Sequence, residues 1–138
     1  MATQKQDGFS KVAIEFIEEK NFGHIATIMK DGSPQVTPVW IDHQDGKYLL
    51  VNTALGRVKE RNVRRDRRVA ISIVDHRDPY RRVVLRGKVV QIVKGKTAEE
   101  HIDKLAKKYL GKDKYPSKAP GEQRILLKIK PEHETLQM

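Results

Sequence analysis

There is no cysteine anywhere in the 138 residues. Disulfide staples, thiolate nucleophiles and Cys-ligated zinc are therefore excluded, and a reducing compartment is compatible with the chain. Long apolar runs are missing as well. No stretch approaches the roughly 20 residues needed to cross a bilayer, and the opening "MATQKQDGFSK" lacks the apolar centre of a signal peptide. The expectation is a cytoplasmic protein with no membrane partner. Aromatic residues are scarce, with one tryptophan, four tyrosines and three phenylalanines. Acidic side chains are outnumbered, 18 against 28 lysines and arginines, for a formal net charge of +10. A charge of that size attracts polyanions, acidic membranes or phosphorylated small molecules, but it is silent on fold.

What is present suggests a small core under a heavily charged surface, with 38% hydrophobic and 33% charged residues. The length fits a single domain over 1–138. "SKVAIEFIEEK" spaces Phe9, Ala13, Phe16 and Ile17 as a helix, with Ser10 as its N-cap. Strand-like segments follow at Phe22 to Met29, Pro34 to Asp42 and Lys47 to Asn52, separated by turns at Asp31-Gly32 and Asp45-Gly46. Pro38 interrupts the second and marks an edge or a bulge, because proline cannot donate to a ladder. "VAISIVD" (Val69 to Asp75) is apolar on both faces and reads as central. Arg81 to Val93 is a long strand with Gly87 placed where a barrel wall could bend. "TAEEHIDKLAKKYLG" is a helix with a capping box at Thr97 and Glu100 and a closing Gly111. After a loop, Gln123 to Lys130 forms a sixth strand before a short polar tail. Regular strand-helix alternation is absent, so the pattern predicts a mainly β, antiparallel barrel with peripheral helices.

The segment from Thr53 to Ala70 is the most distinctive. It carries Arg57, Lys59, Arg61, Arg64, Arg65, Arg67 and Arg68 against only Glu60 and Asp66. On a helix, Arg57, Arg61, Arg64 and Arg68 share a face, with Val58 as apolar anchor, Val63 in support and Glu60 pairing with Arg64. A strand, a glycine turn at Gly56 and a helix start form an anion-binding arrangement, since free N–H groups and the helix dipole favour negative charge. Arg57 could fork onto phosphate oxygens, Lys59 add a point charge, and Asn52 and Thr53 donate neutral hydrogen bonds. On charge alone a solvated basic helix fits equally well.

The flanking residues change that balance. "VTPVWI", "VNTALGRVKERNVRRDRRVAISIVD" and "DPYRRVVLRGKVV" occur in this order. Together they resemble the pyridoxamine 5′-phosphate oxidase-like split barrels, in particular the short flavin- or deazaflavin-dependent oxidoreductases. The T-x-x-G-R-x-K-x-x-N core of that resemblance is met by Thr53, Gly56, Arg57, Lys59 and Asn62. The resemblance implies a six-stranded split barrel of the FMN-binding type that works as a homodimer. It implies a cofactor phosphate held by Arg57 and Lys59, and a ring lying along Thr37, Pro38, Val39 and Trp40. It also implies a cleft reached by Tyr80 and Arg82. Trp40 fits a core position as well, and Tyr80 a plain surface site. Coenzyme F-420 is the first choice of cofactor and FMN the second. The hydride chemistry would belong to the cofactor, acting on a small organic substrate, so no catalytic side chain is assigned. A flavin carrier or sensor of the same fold is the nearest alternative.

The five histidines show no metal-ligand spacing, so no metal is expected. A nucleic-acid-binding barrel is the rival from another class. Such surfaces interleave aromatics with basic residues for base stacking, and none lies between Thr53 and Ala70.

Overall fold

The computed structural model describes residues 2–5 and 8–138, with side chains from residue 8 onward. In chain order the elements are β1 (Ala2–Lys5), α1 (Lys11–Glu18), β2 (Gly23–Ile28), β3 (Pro34–Val39), β4 (Ile41–Gln44), β5 (Tyr48–Ala54), α2 (Val58–Arg65), β6 (Arg68–Asp75), β7 (Asp78–Val93), α3 (Lys96–Leu110) and β8 (Arg124–Gln137). The strands form one antiparallel sheet in the order β3-β2-β6-β7-β8-β5-β4, with β1 added to β8. β3 and β4 lie at opposite ends of that order, yet only Trp40 separates them in sequence. Consecutive Cα atoms are about 3.8 Å apart, so the two ends of the sheet must meet there. The sheet rolls into a barrel.

Among the described residues eight strands, not six, build it. The predicted Pro34 to Asp42 strand splits at Trp40, because closure moves the chain from the β2 edge to the β5 edge. β1 was not anticipated. β8 runs on to Gln137 where a polar tail was expected. Pro131 does not stop it, because it faces Gly87 at a shift of register, where a missing donor costs nothing. Pro38 does sit on an edge strand, since β3 pairs only with β2. β6 is central, as its composition suggests, between β2 and β7.

The interior is aliphatic. Ile17, Ile25, Ile41, Leu49, Val51, Ile73, Ile125 and Leu127 are completely buried, each contributing roughly 1.5–3 kcal/mol. α1 closes over it with Ala13, Phe16 and Ile17, and the Ser10 hydroxyl accepts from the Ala13 N–H at 3.1 Å, as its N-cap position requires. α3 starts earlier than the sequence suggests. Its N-cap is Gly95, so the Thr97–Glu100 capping box does not form. Gly111 does end it, in the left-handed conformation.

In α2, Arg57 is the N-cap and Arg68 already belongs to β6, so the four arginines do not share one helical face. Val63 is the fully buried anchor, whereas Val58 is half-buried. Glu60 is 0% exposed. It ties the turn to the helix by accepting from the Gly56 N–H at 2.8 Å and from the Arg64 Nη2 at 3.1 Å. No helix among the described residues is long and apolar enough to cross a membrane.

Candidate functional site

Where β5 ends, the chain turns through Gly56 (φ 89°) into α2, and a positive φ of this kind favours glycine. That turn leaves Arg57 and Lys59 on the wall of a cavity of about 420 Å³, a size suited to a small ligand or cofactor. Pro38, Val39, Trp40 and Asn52 line the same cavity. Six of the residues singled out from the sequence therefore converge.

The cationic part of the wall has a third member that the sequence did not reveal. Arg124, at the start of β8, is paired opposite Ala54 of β5. Glu122 bridges the two arginines, accepting from Arg57 at 3.2 Å and from Arg124 at 2.9 Å. The Lys59 ammonium is pulled below its ordinary pKa, first by burial and then by the charges of Arg57 and Arg124. A site that holds three cations with one carboxylate between them favours an incoming anion. The helix start contributes less than expected. The Gly56 N–H is already bonded to Glu60 and the Arg57 N–H to the Ala54 carbonyl at 3.2 Å, so the side chains carry most of the attraction.

The aromatic part is built on α3. Tyr109 stacks between Phe22 and Trp40, with ring centres at 5.6 and 5.2 Å, and Trp40 meets Tyr115 edge-on at 6.0 Å. Tyr115 joins the two parts, since the Arg124 guanidinium lies 5.0 Å over its ring. Phe22, Ile102, Leu105, Leu110 and Ser117 complete the lining. Trp40 is thus both packed and cavity-facing.

Its position is fixed from behind. The Tyr109 hydroxyl donates to the Asn21 carbonyl at 2.6 Å and accepts from the Ile41 N–H at 3.1 Å, and burial pushes its phenol up to about 12. Lys108, pulled down to about 8 by burial, donates to the carbonyls of Ile17 and Ile41. The loop from Gly111 to Gln123 is held to α3 by carboxylates. Asp103 accepts from the Tyr115 N–H at 2.8 Å, while Glu99 accepts from the Arg124 N–H at 2.7 Å and from Lys118.

The remaining sequence candidates do not line this cavity. Thr53 is completely buried, and its hydroxyl has no partner among the described residues. Asn62 points the other way, donating to the Thr27 hydroxyl at 3.0 Å, which anchors α2 to β2. Thr37 is half-buried on β3, its hydroxyl likewise unpartnered among the described residues. Tyr80, 75% exposed, and Arg82 lie on β7 and are not among the residues that line the cavity. Among the described residues Glu19, Asp75 and His76 bring potential ligand atoms within 4.8 Å of one another. Arginines already neutralise that group: Arg77 contacts both Glu19 and Asp75, and Arg81 binds Asp75.

Tyr115 and Ser117 went unrecognised because "KDKYPSKAPGE" reads only as a loop, and Arg124 because it reads as an ordinary residue of the last strand. The one available signal was a basic residue at the second position of the predicted Gln123 to Lys130 strand.

Residues 9–138 match the pyridoxamine 5′-phosphate oxidase family. An F-420 reductase is similar in structure at 31% identity, covering 88% of this chain and 94% of the other, with a TM-score of 0.75. A conserved hypothetical protein from Mycobacterium tuberculosis shares the fold at 24% identity (97% and 88% covered, TM-score 0.73). General stress protein 26 from Bacillus anthracis shares it at 18% (89% and 88% covered, TM-score 0.66). No curated protein gives a match. A barrel closed at Trp40, with its glycine turn and basic helix beside the cavity, is thus matched along nearly its whole length, and the chain belongs to the pyridoxamine 5′-phosphate oxidase family.

Proposed function

We propose that the cavity binds the anionic end of a flavin-type cofactor, F-420 in preference to FMN, and that the chain is an oxidoreductase acting on a small organic substrate. The observation that carries this reading is the meeting of Arg57, Lys59 and Arg124 with an aromatic wall in one cavity. The donor set fits. Arg57 offers a planar fork for phosphate oxygens and Lys59 a mobile point charge. Pro38, Val39 and Trp40 offer an apolar ledge beside an edge strand for a planar ring. When bound, the cofactor supplies the hydride chemistry. The chain's own work is to hold the anion, orient the ring and keep water from one of its faces.

The choice of F-420 rests on the likeness to the F-420 reductase and on the excess of basic residues, which suits a longer anionic tail. The reading includes a homodimer, with Thr37, Tyr80 and Arg82 serving the cleft from the subunit boundary. Half-buried apolar residues on the outer sheet face, Ala26, Ala70, Val74 and Val84, support it. The test is an absorbance titration of the purified chain with F-420 and with FMN, alongside its mass by light scattering. Saturable binding of F-420 at one equivalent per chain, in a particle of twice the chain mass, is expected. A chain that binds neither compound would sink the proposal.

Binding should also depend on pH in a definite sense. In the free chain the Lys59 pKa lies below its ordinary value of 10.5, and a bound phosphate raises it again. The protonated form therefore binds better, and binding takes up a proton near the depressed pKa. Affinity is expected to be highest below that pKa and to decline as pH rises through it, before an ordinary lysine would titrate. Titrations from neutral pH to about pH 10 check this. The decline should vanish in Lys59→Met; a flat profile in the unaltered chain would contradict it.

A further inference from the structure

We propose that Arg124 is a ligand-binding cation of this cavity and that a hydrogen-bonded chain running from Asp42 through His101 to Asn52 aims its guanidinium. The inference rests on the reading of the cavity as an anion site.

The Arg124 side chain is only 3% exposed. A guanidinium so far removed from water is costly unless its donors are engaged. Nε donates to the Asn52 Oδ1 at 2.9 Å and Nη1 to the Glu122 Oε2 at 2.9 Å. Nη2 has no acceptor among the described residues, and the side chain lines the cavity. One nitrogen of a fixed fork is left for whatever enters.

What fixes the fork is the orientation of Asn52. A carboxamide can present either its oxygen or its nitrogen to a neighbour, and only the oxygen serves an arginine. The Asn52 Nδ2 is committed elsewhere: it donates to the Ala98 carbonyl at 3.0 Å and faces the His101 Nδ1 at 3.1 Å. Because Nδ2 can only donate, Nδ1 must be the unprotonated nitrogen of the ring. The His101 proton then sits on Nε2 and is donated to the Asp42 Oδ2 at 3.1 Å. Asp42 is held ionised. Its burial pushes the pKa up, but hydrogen bonds from His101 and the His43 N–H, with the Lys104 charge at 3.2 Å, keep it below the usual carboxylate range.

The chain is directional. A proton on Nδ1 would set two donors face to face, and the amide could relieve this only by rotating its nitrogen toward Arg124. Asp42, by fixing the ring tautomer, thus fixes the amide and through it the guanidinium. His101 and Asn52 are positioning residues; the residue meeting the ligand is Arg124.

The test is titration of the unaltered chain and five variants with F-420, FMN and inorganic pyrophosphate, with a melting curve for each protein. Arg124→Gln is expected to weaken binding of whichever probe the unaltered chain takes by about tenfold or more. His101→Leu and Asn52→Leu should weaken it by a similar factor. His101→Gln keeps an acceptor for Asn52 and a donor for Asp42, and should restore binding to within about threefold of the unaltered chain. That rescue separates positioning from mere filling of space. If Arg124→Gln does not fold, Arg124→Lys, which retains the charge without the fork, should bind measurably more weakly than the unaltered chain. Unchanged affinity in the folded Arg124 variant, or equal affinities in His101→Leu and His101→Gln, would overturn the inference while leaving the anion site standing. An unaltered chain that binds none of the three probes would overturn both.

Discussion

With Arg57 and Lys59 both replaced by alanine, affinity for the flavin-type cofactor is expected to fall by roughly two to four orders of magnitude. Each of these cations would make charge-assisted hydrogen bonds to the anion, about 1.5–3 kcal/mol apiece. The fold should tolerate the change. Arg57 is 45% exposed and its pair with Glu122 belongs to the partly screened surface class, worth at most about 1 kcal/mol. Lys59 is held below its ordinary pKa chiefly by burial, so its removal relieves an unfavourable desolvation. Glu122 keeps Arg124 as a partner. Fluorescence titration of the double variant gives the affinity, and calorimetry should find its melting temperature within about 3 °C of the parent. Retained affinity would mean that the anion, if one binds, lies elsewhere.

The largest effect on stability is expected at Gly87. An added Cβ would lie 2.0 Å from the Lys130 carbonyl oxygen, 2.9 Å from its carbon and 3.1 Å from the Pro131 Cα. All three are backbone atoms, so no side chain can swing aside. The contact falls at the register shift where β7 passes β8. Gly87→Val must push the two longest strands apart or break the ladder between them, at a cost of about 3 kcal/mol or more. In a chain of this length that corresponds to a fall of roughly 10 °C in melting temperature. Differential scanning calorimetry measures it directly. A variant melting within a couple of degrees of the parent would show that the strands yield there at little cost.

Elements specified by neighbouring residues were legible in the sequence. Ser10 capping α1, the turns at Asp31-Gly32 and Asp45-Gly46, the edge position of Pro38 and the termination of α3 at Gly111 all depend on chemistry within a few positions. The family resemblance gave the barrel, and the basic stretch gave two of the three cations of the cavity, Arg57 and Lys59. Features imposed by distant partners were not legible. The break at Trp40 exists because two sheet ends meet, and no local pattern encodes that meeting. β8 continues through Pro131 because Gly87 lies opposite, on a strand read as a separate element. The links Asn52–Arg124 and Asn52–His101 join residues 72 and 49 positions apart, so no spacing rule could have found them. His101 looked like an ordinary helical residue and is buried beneath the site.

β8 is preceded in the chain by every strand it pairs with: β1, β5 and β7. As a nascent polypeptide leaves the ribosome, β5 and β7 therefore present open ladders until residues 124–137 emerge, and the wall bearing Arg124 arrives after every strand it must join. The barrel cannot shut until β8 has been made, so a chain stalled before Arg124 would carry bare strand edges and no finished cavity.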